Sequence, residues 1–131
     1  YGLEPKMKLD RYHYLFNAAA YFAAAEKFPE NGIVAAIAGQ GPEAFDALCW
    51  ALAELAQQGE LARRDMGYDS GEMLTVERVR RQLMPAQLPE AREIVLRTIA
   101  KGLKNGEGKV RDEGDDVMAG SAEQKKTDAT T

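Results

Sequence analysis

The chain has one cysteine, one histidine and one tryptophan among its 131 residues. A single thiol forms no internal disulfide, so nothing in the chain calls for an oxidising compartment. Cys49 lies among apolar residues and reads as a core thiol, since no neighbouring cation would activate it. One histidine and one cysteine cannot supply a metal site with ligand spacing, and no nucleophile–base pair is present. No metal, no cofactor and no hydrolase or transferase chemistry are expected; the chain reads as non-enzymatic. No apolar run approaches the roughly 20 residues that span a bilayer. No basic start followed by an apolar stretch marks a secretion signal. The net charge of −4 disfavours nucleic acid and anionic membranes as partners. A cytoplasmic protein is the expectation.

Prolines are few, and each falls where an element can begin or end: Pro5, Pro29, Pro42, Pro85 and Pro89. What lies between them is mostly helical in period. Lys6 to Tyr12 alternates weakly, with Met7 and Leu9 apolar, and reads as a short strand. A lone strand needs a partner, expected upstream of Tyr1 or in another subunit. A helix follows from Tyr14 to Lys27, with Tyr14, Ala18, Tyr21, Ala25 and Phe28 on one stripe. It is apolar around most of its circumference, so it should be central in the domain or half-covered by a partner. A short helix, Gly32 to Ala38, has Asn31 as candidate N-cap and ends at Gly39-Gln40-Gly41.

The clearest helix runs from Pro42 to Gln58, with Phe45, Leu48, Leu52 and Leu55 inward and Gly59 placed to end it. Glu60 to Met73 reads as a polar loop. Thr75 caps a short helix carrying Val76, Val79 and Leu83 inward. A last helix, Pro89 to Leu103, turns Ala91, Val95, Leu96, Ile99 and Leu103 inward. From residue 105 aromatics vanish, and 4 basic residues face 7 acidic ones. Such a composition cannot bury a core and reads as a flexible acidic tail. The expected fold is mainly α: a domain of four to five helices over 1–104, a minor N-terminal β element, and a tail over 105–131.

The remaining constellations are sparse. His13 has no partner ligands and reads as a boundary residue. Asp112, Glu113, Asp115 and Asp116 lack the closing glutamate of a calcium loop. Gly39-Gln40-Gly41 has no Lys-Ser/Thr pair after it and reads as a turn between helices. Arg78, Arg80 and Arg81, with Arg63 and Arg64, are the basic patch that a helical DNA-binding regulator would use. No aromatic interleaves with them, and acids lie close by. Trp50 falls on the polar side of its helix, among Asp46, Glu54 and Gln57. Either a helix of the same domain covers it or it anchors a partner. Amphipathicity nominates Tyr21 and Phe22, beside Trp50, as apolar partner contacts, with Arg78 and Arg81 as polar ones.

Three segments carry a family resemblance. Tyr14-Leu15-Phe16-Asn17-Ala18 follows a strand-like start. Phe45-Asp46-Ala47-Leu48-Cys49-Trp50-Ala51-Leu52 follows a glycine-containing stretch. Leu74-Thr75-Val76-Glu77-Arg78-Val79 precedes the closing helix of Ile94 to Leu103. Their order over Lys6 to Lys104 resembles the tail assembly chaperones of long-tailed bacteriophages, whose helix carries a similar leucine-x-tryptophan-alanine-x-leucine pattern. The resemblance implies a small helical chaperone. It would bind the tape-measure protein, keep it soluble, help recruit tail-tube subunits and be absent from the mature virion. A homo-oligomer is also compatible with this reading. The alternatives are the DNA-binding regulator and another structural phage protein such as a connector.

Overall fold

The structure, a computed structural model, describes residues 6–105. The expected acidic tail lies outside the described residues, apart from Asn105, which ends the last helix. Five α-helices form the fold: α1 (Ala18–Lys27), α2 (Gly32–Ala38), α3 (Pro42–Asp65), α4 (Val76–Gln82) and α5 (Leu88–Asn105). Short 3-10 turns occupy Leu9–Arg11 and Pro85–Gln87.

Helix α3, not α1, is the centre. Its 24 residues touch α1, α2, α4 and α5. Ala51, Leu52 and Ala53 are consecutive and all buried, so the helix is covered over more than one face. Burying Leu48, Leu52 and Leu55 contributes about 1.5–3 kcal/mol each. Pro42 begins the helix with its fixed φ, and Glu43 suits the positive end of the dipole.

The expected stop at Gly59 is corrected. Glu60, Leu61, Ala62, Arg63 and Arg64 are good helix formers and carry α3 another turn and a half. Gly67, at φ +94°, follows the cap residue Met66, where a left-handed backbone is needed.

The expected N-terminal strand is also corrected: no strand occurs among the described residues. The alternation of Met7 and Leu9 does report burial, since both side chains lie in the core. The Met7 backbone is satisfied differently, by single bonds to helical neighbours. The Met7 N–H donates to the Gln82 carbonyl at 2.9 Å. The buried Gln87 amide donates to the Met7 carbonyl at 2.7 Å and accepts from the Met84 N–H at 3.0 Å. No second strand is required.

Helix α1 starts at Ala18, four residues later than the periodicity indicates. Asn17 is its N-cap, accepting from the Ala20 N–H at 3.0 Å and donating to Gln58 of α3 at 3.0 Å. The stretch before it is extended and lies between α3 and α5 at two glycines. A Cβ on Gly59 would sit 1.6 Å from the His13 carbonyl oxygen, and one on Gly102 would sit 2.3 Å from that of Phe16. The Leu15 N–H donates to Leu55 O at 3.0 Å, and the Tyr14 hydroxyl to Leu9 O at 2.9 Å. Both glycines are therefore crossing points inside helices, and Gly59 is not a terminator.

Other caps follow the sequence. The Thr75 hydroxyl accepts from the Arg78 N–H at 3.2 Å. Asn31 occupies the cap position of α2 without a side-chain bond. The open carbonyls at the C-terminal end of α2 are met from α5 instead: Arg92 donates to Ile37 O at 3.2 Å and Gly39 O at 3.3 Å.

Candidate interaction surface

Only Ala20 and Ala24 of α1 are buried. Their small side chains seat the helix closely on its neighbours and leave its bulk outside. Tyr21 is 47% exposed and Phe22 66%, with Ala18, Ala19 and Ala25 exposed around them. The aromatics form a chain from core to solvent. Buried Phe16 meets Tyr21 edge-on at 6.1 Å between centroids, and Tyr21 meets Phe22 at 5.0 Å. Helix α2, packed against α1, buries Ile33 and Ile37 and exposes Val34, Ala35 and Ala38. Between Ala18 and Gly41 the only charged residues are Glu26, Lys27 and Glu30. Two adjoining helices thus present apolar outer faces with almost no charge, the pattern of a surface that another chain covers.

The structure brings Tyr21 and Phe22 together and engages the other nominated residues elsewhere. Trp50 is half-buried, its ring edge-on to Phe28 at 5.5 Å, just past the end of α1. It therefore has a partner within the domain and keeps part of its surface free. Arg78 pairs with Glu72. Arg81 is exposed and has no ion pair among the described residues. Arg80 pairs with Asp46 and lies over the Phe45 ring at 5.6 Å.

Helix α5 corrects the sequence reading in a useful way. Ala91, Val95 and Ile99 are buried as expected, with Ile94 beside them, but Leu96 and Leu103 are exposed. Each lies one residue, about 100° of helix, beyond the line through Val95, Ile99 and Gly102 that meets the core. Leu103 adjoins Gly102 and so flanks the Phe16 crossing. The seven-residue spacing of Leu96 and Leu103 marked a second apolar line that sequence alone assigned to the core.

Cys49 is fully buried, and burial pushes its thiol up to about 11, which leaves it protonated and unreactive at neutral pH. No group of three or more His, Cys, Asp or Glu side chains that could hold a metal occurs among the described residues. No helix among them is long and apolar enough to cross a membrane.

The C-terminal end of α3 carries a buried acid. Glu60 accepts from Arg63 at 2.9 Å, from Arg64 at 3.0 Å and from the Gly71 N–H, folding the following loop back on the helix. The Gly71 N–H, then the Arg64 and Arg63 guanidiniums, hold its carboxyl below the ordinary 4.5 against the opposing effect of desolvation. A lowered folded-state value means a stabilising contribution that is complete above 4.5 and disappears as pH falls through the lower folded value. Glu60→Gln is therefore expected to flatten the acid limb of stability. Urea unfolding between roughly pH 5 and pH 3 would show wild type losing stability more steeply than the variant. Parallel slopes would mean Glu60 plays no such part.

Comparison of the chain with models of known families finds no match, and neither curated proteins nor solved structures match it. The functional reading rests on the surface itself.

Proposed function

We propose that this chain is a non-enzymatic tail assembly chaperone that binds a tape-measure protein through the outer faces of α1 and α2. The observation that carries the reading is the exposure of Tyr21 and Phe22 on a helix that buries only alanines. A tape-measure protein is a long chain whose apolar helical stripes need covering until the tail tube surrounds them. Apolar helical faces recognise such stripes by the helix-in-groove mode. Trp50 extends the aromatic surface past the end of α1, and Arg81, exposed and without an ion pair among the described residues, offers a cation to client carboxylates. Recruitment of tail-tube subunits and departure before the virion is complete belong to the same proposal.

The DNA-binding alternative is weakened by the state of its arginines. Arg63 and Arg64 hold Glu60, Arg78 holds Glu72 and Arg80 holds Asp46, so an acid stands beside four of the five arginines. Co-expression of a tape-measure fragment with this chain is the direct test. The fragment should become soluble and co-purify with the chain. A fragment that stays insoluble and is not retained would overturn the reading. Recovery of the chain from finished particles would favour a connector.

A further inference from the structure

Helix α1 reads almost the same in both directions. Three alanines, Ala18 to Ala20, precede Tyr21 and Phe22, and three more, Ala23 to Ala25, follow them. On its outer side Ala18, Phe22 and Ala25 are exposed at steps of four and three, which is one line along a helix. Tyr21 flanks that line on one side, and Ala19 and Glu26 flank it on the other. We infer that this face pairs with the same face of a second copy of the chain, α1 against α1 in antiparallel sense, about a two-fold axis between Tyr21 and Phe22.

The symmetry of the sequence carries the choice of occupant. A two-fold contact has to be self-complementary: what residue i meets in the copy must meet residue i in return. With the axis between Tyr21 and Phe22, Ala18 lies opposite Ala25 of the copy at each end, and the aromatics of both copies lie together at the centre. The alanines let the two helices approach closely, and the four rings fill the middle. In the single chain Tyr21 and Phe22 stand open to solvent, and the copy covers both.

Charge selects the antiparallel sense. No residue from Ala18 to Ala25 is charged. Helix α1 has no acid in its first turn and carries Glu26, exposed, in its last. An acid is unfavourable beside the carbonyl end of its own helix and favourable beside the N–H end of another. Antiparallel pairing sets Glu26 of each copy opposite Asn17 of the other, at that N–H end. Parallel pairing would bring the two Glu26 carboxylates together and align the two helix dipoles.

Size sets the strength. Helix α1 has 10 residues, a length of about 15 Å. One such helix from each copy buries less than the roughly 1,200 Å² at which stable complexes begin. The pair is therefore weak and reversible, with a Kd on the order of 100 µM. It shields the aromatics until a client displaces the copy; that competition, though not the pair itself, rests on the chaperone reading.

Sedimentation velocity of the full chain alone, from about 5 µM to about 1 mM, tests the pair. The mean mass should rise from one chain toward two. A monomer throughout, or growth beyond two chains, would overturn the proposal. Tyr21→Ala combined with Phe22→Ala should stay monomeric with its helical circular dichroism intact, and a double variant that still pairs would exclude this face. Orientation is read by cross-linking. Ala18→Cys combined with Ala25→Cys should give a covalent dimer on oxidation, and Ala18→Cys alone should not. The two copies of position 18 lie about 10.5 Å apart along the helices, beyond the roughly 7 Å reach of a disulfide. Cys49 is buried and contributes no cross-link. Failure of the first cross-link, or formation of the second, would overturn the antiparallel pair. No client is present in any arm, so failure here leaves the chaperone reading standing, and failure of client capture leaves the pair standing.

Discussion

Gly59→Ala is expected to destabilise the protein by about 3 kcal/mol, although the same change inside an ordinary helix is stabilising. Replacing a helical glycine by alanine normally gains up to about 1 kcal/mol from lost unfolded-state freedom and better propensity. Here the new methyl would sit 1.6 Å from the His13 carbonyl oxygen and 2.6 Å from its carbon, far inside any contact distance. The obstruction is backbone, not the tip of a flexible side chain. The segment cannot simply retreat, because Leu15 is bonded to Leu55, Tyr14 to Leu9, and Phe16 is buried. Steric cost therefore exceeds the propensity gain, and the sign reverses. For a domain of this size, the loss corresponds to a fall in melting temperature of roughly 12–24 °C. Gly102→Ala should act in the same direction, since its methyl would meet Phe16 O at 2.3 Å. Urea denaturation followed by helical circular dichroism measures both. An unchanged or raised midpoint for Gly59→Ala would mean that the extended stretch does not cross α3 there.

The second large effect is on binding. Tyr21→Ala combined with Phe22→Ala should weaken association with a tape-measure helix by about 2 kcal/mol or more, roughly thirtyfold. Large aromatics at the centre of an apolar contact carry most of its energy, and these two are adjacent and open to solvent. Their removal should cost only about 1 kcal/mol of stability, the size of the lost edge-on contact between Tyr21 and Phe16. Alanine is the better helix former, and Ala20 and Ala24, which seat α1, are untouched. Fluorescence anisotropy of a labelled client helix gives the affinity, and thermal unfolding gives the control. Undiminished affinity in the double variant would remove this surface from the function. A large loss of stability would mean that the two rings belong to the core.

The mainly α fold was legible because its signals are local. Apolar spacing, prolines at boundaries, the Thr75 cap and the glycine turn before Pro42 each report on a few neighbouring residues. What failed was anything decided by a distant chain crossing. Gly59 has the local appearance of a helix end, yet it is a helix interior kept bare for His13. Met7 and Leu9 alternate as a strand does, but the Gln82 carbonyl and Gln87 amide meet the Met7 backbone in place of a partner strand. Leu96 and Leu103 share the hydropathy of Val95 and Ile99, and only the position of α5 on the core separates them.

The candidate surface was half legible. An alanine-rich helix with aromatics at Tyr21 and Phe22 had to be either central or covered by something else, and the residues could not say which. The structure gives the centre to α3 and leaves the aromatics outside. Trp50, placed by periodicity among polar residues, gains a neighbour in Phe28 only because the chain turns back at Pro29.

By itself, then, the amino-acid order determined which stretches become helical and which residue types are available, because backbone preference and side-chain period act over a few positions. Which helix is innermost, which apolar residues meet water, and which charges are left without a counterion were decided only by tertiary packing. Those outcomes depend on where remote segments cross, and on the polar groups that each crossing brings within reach.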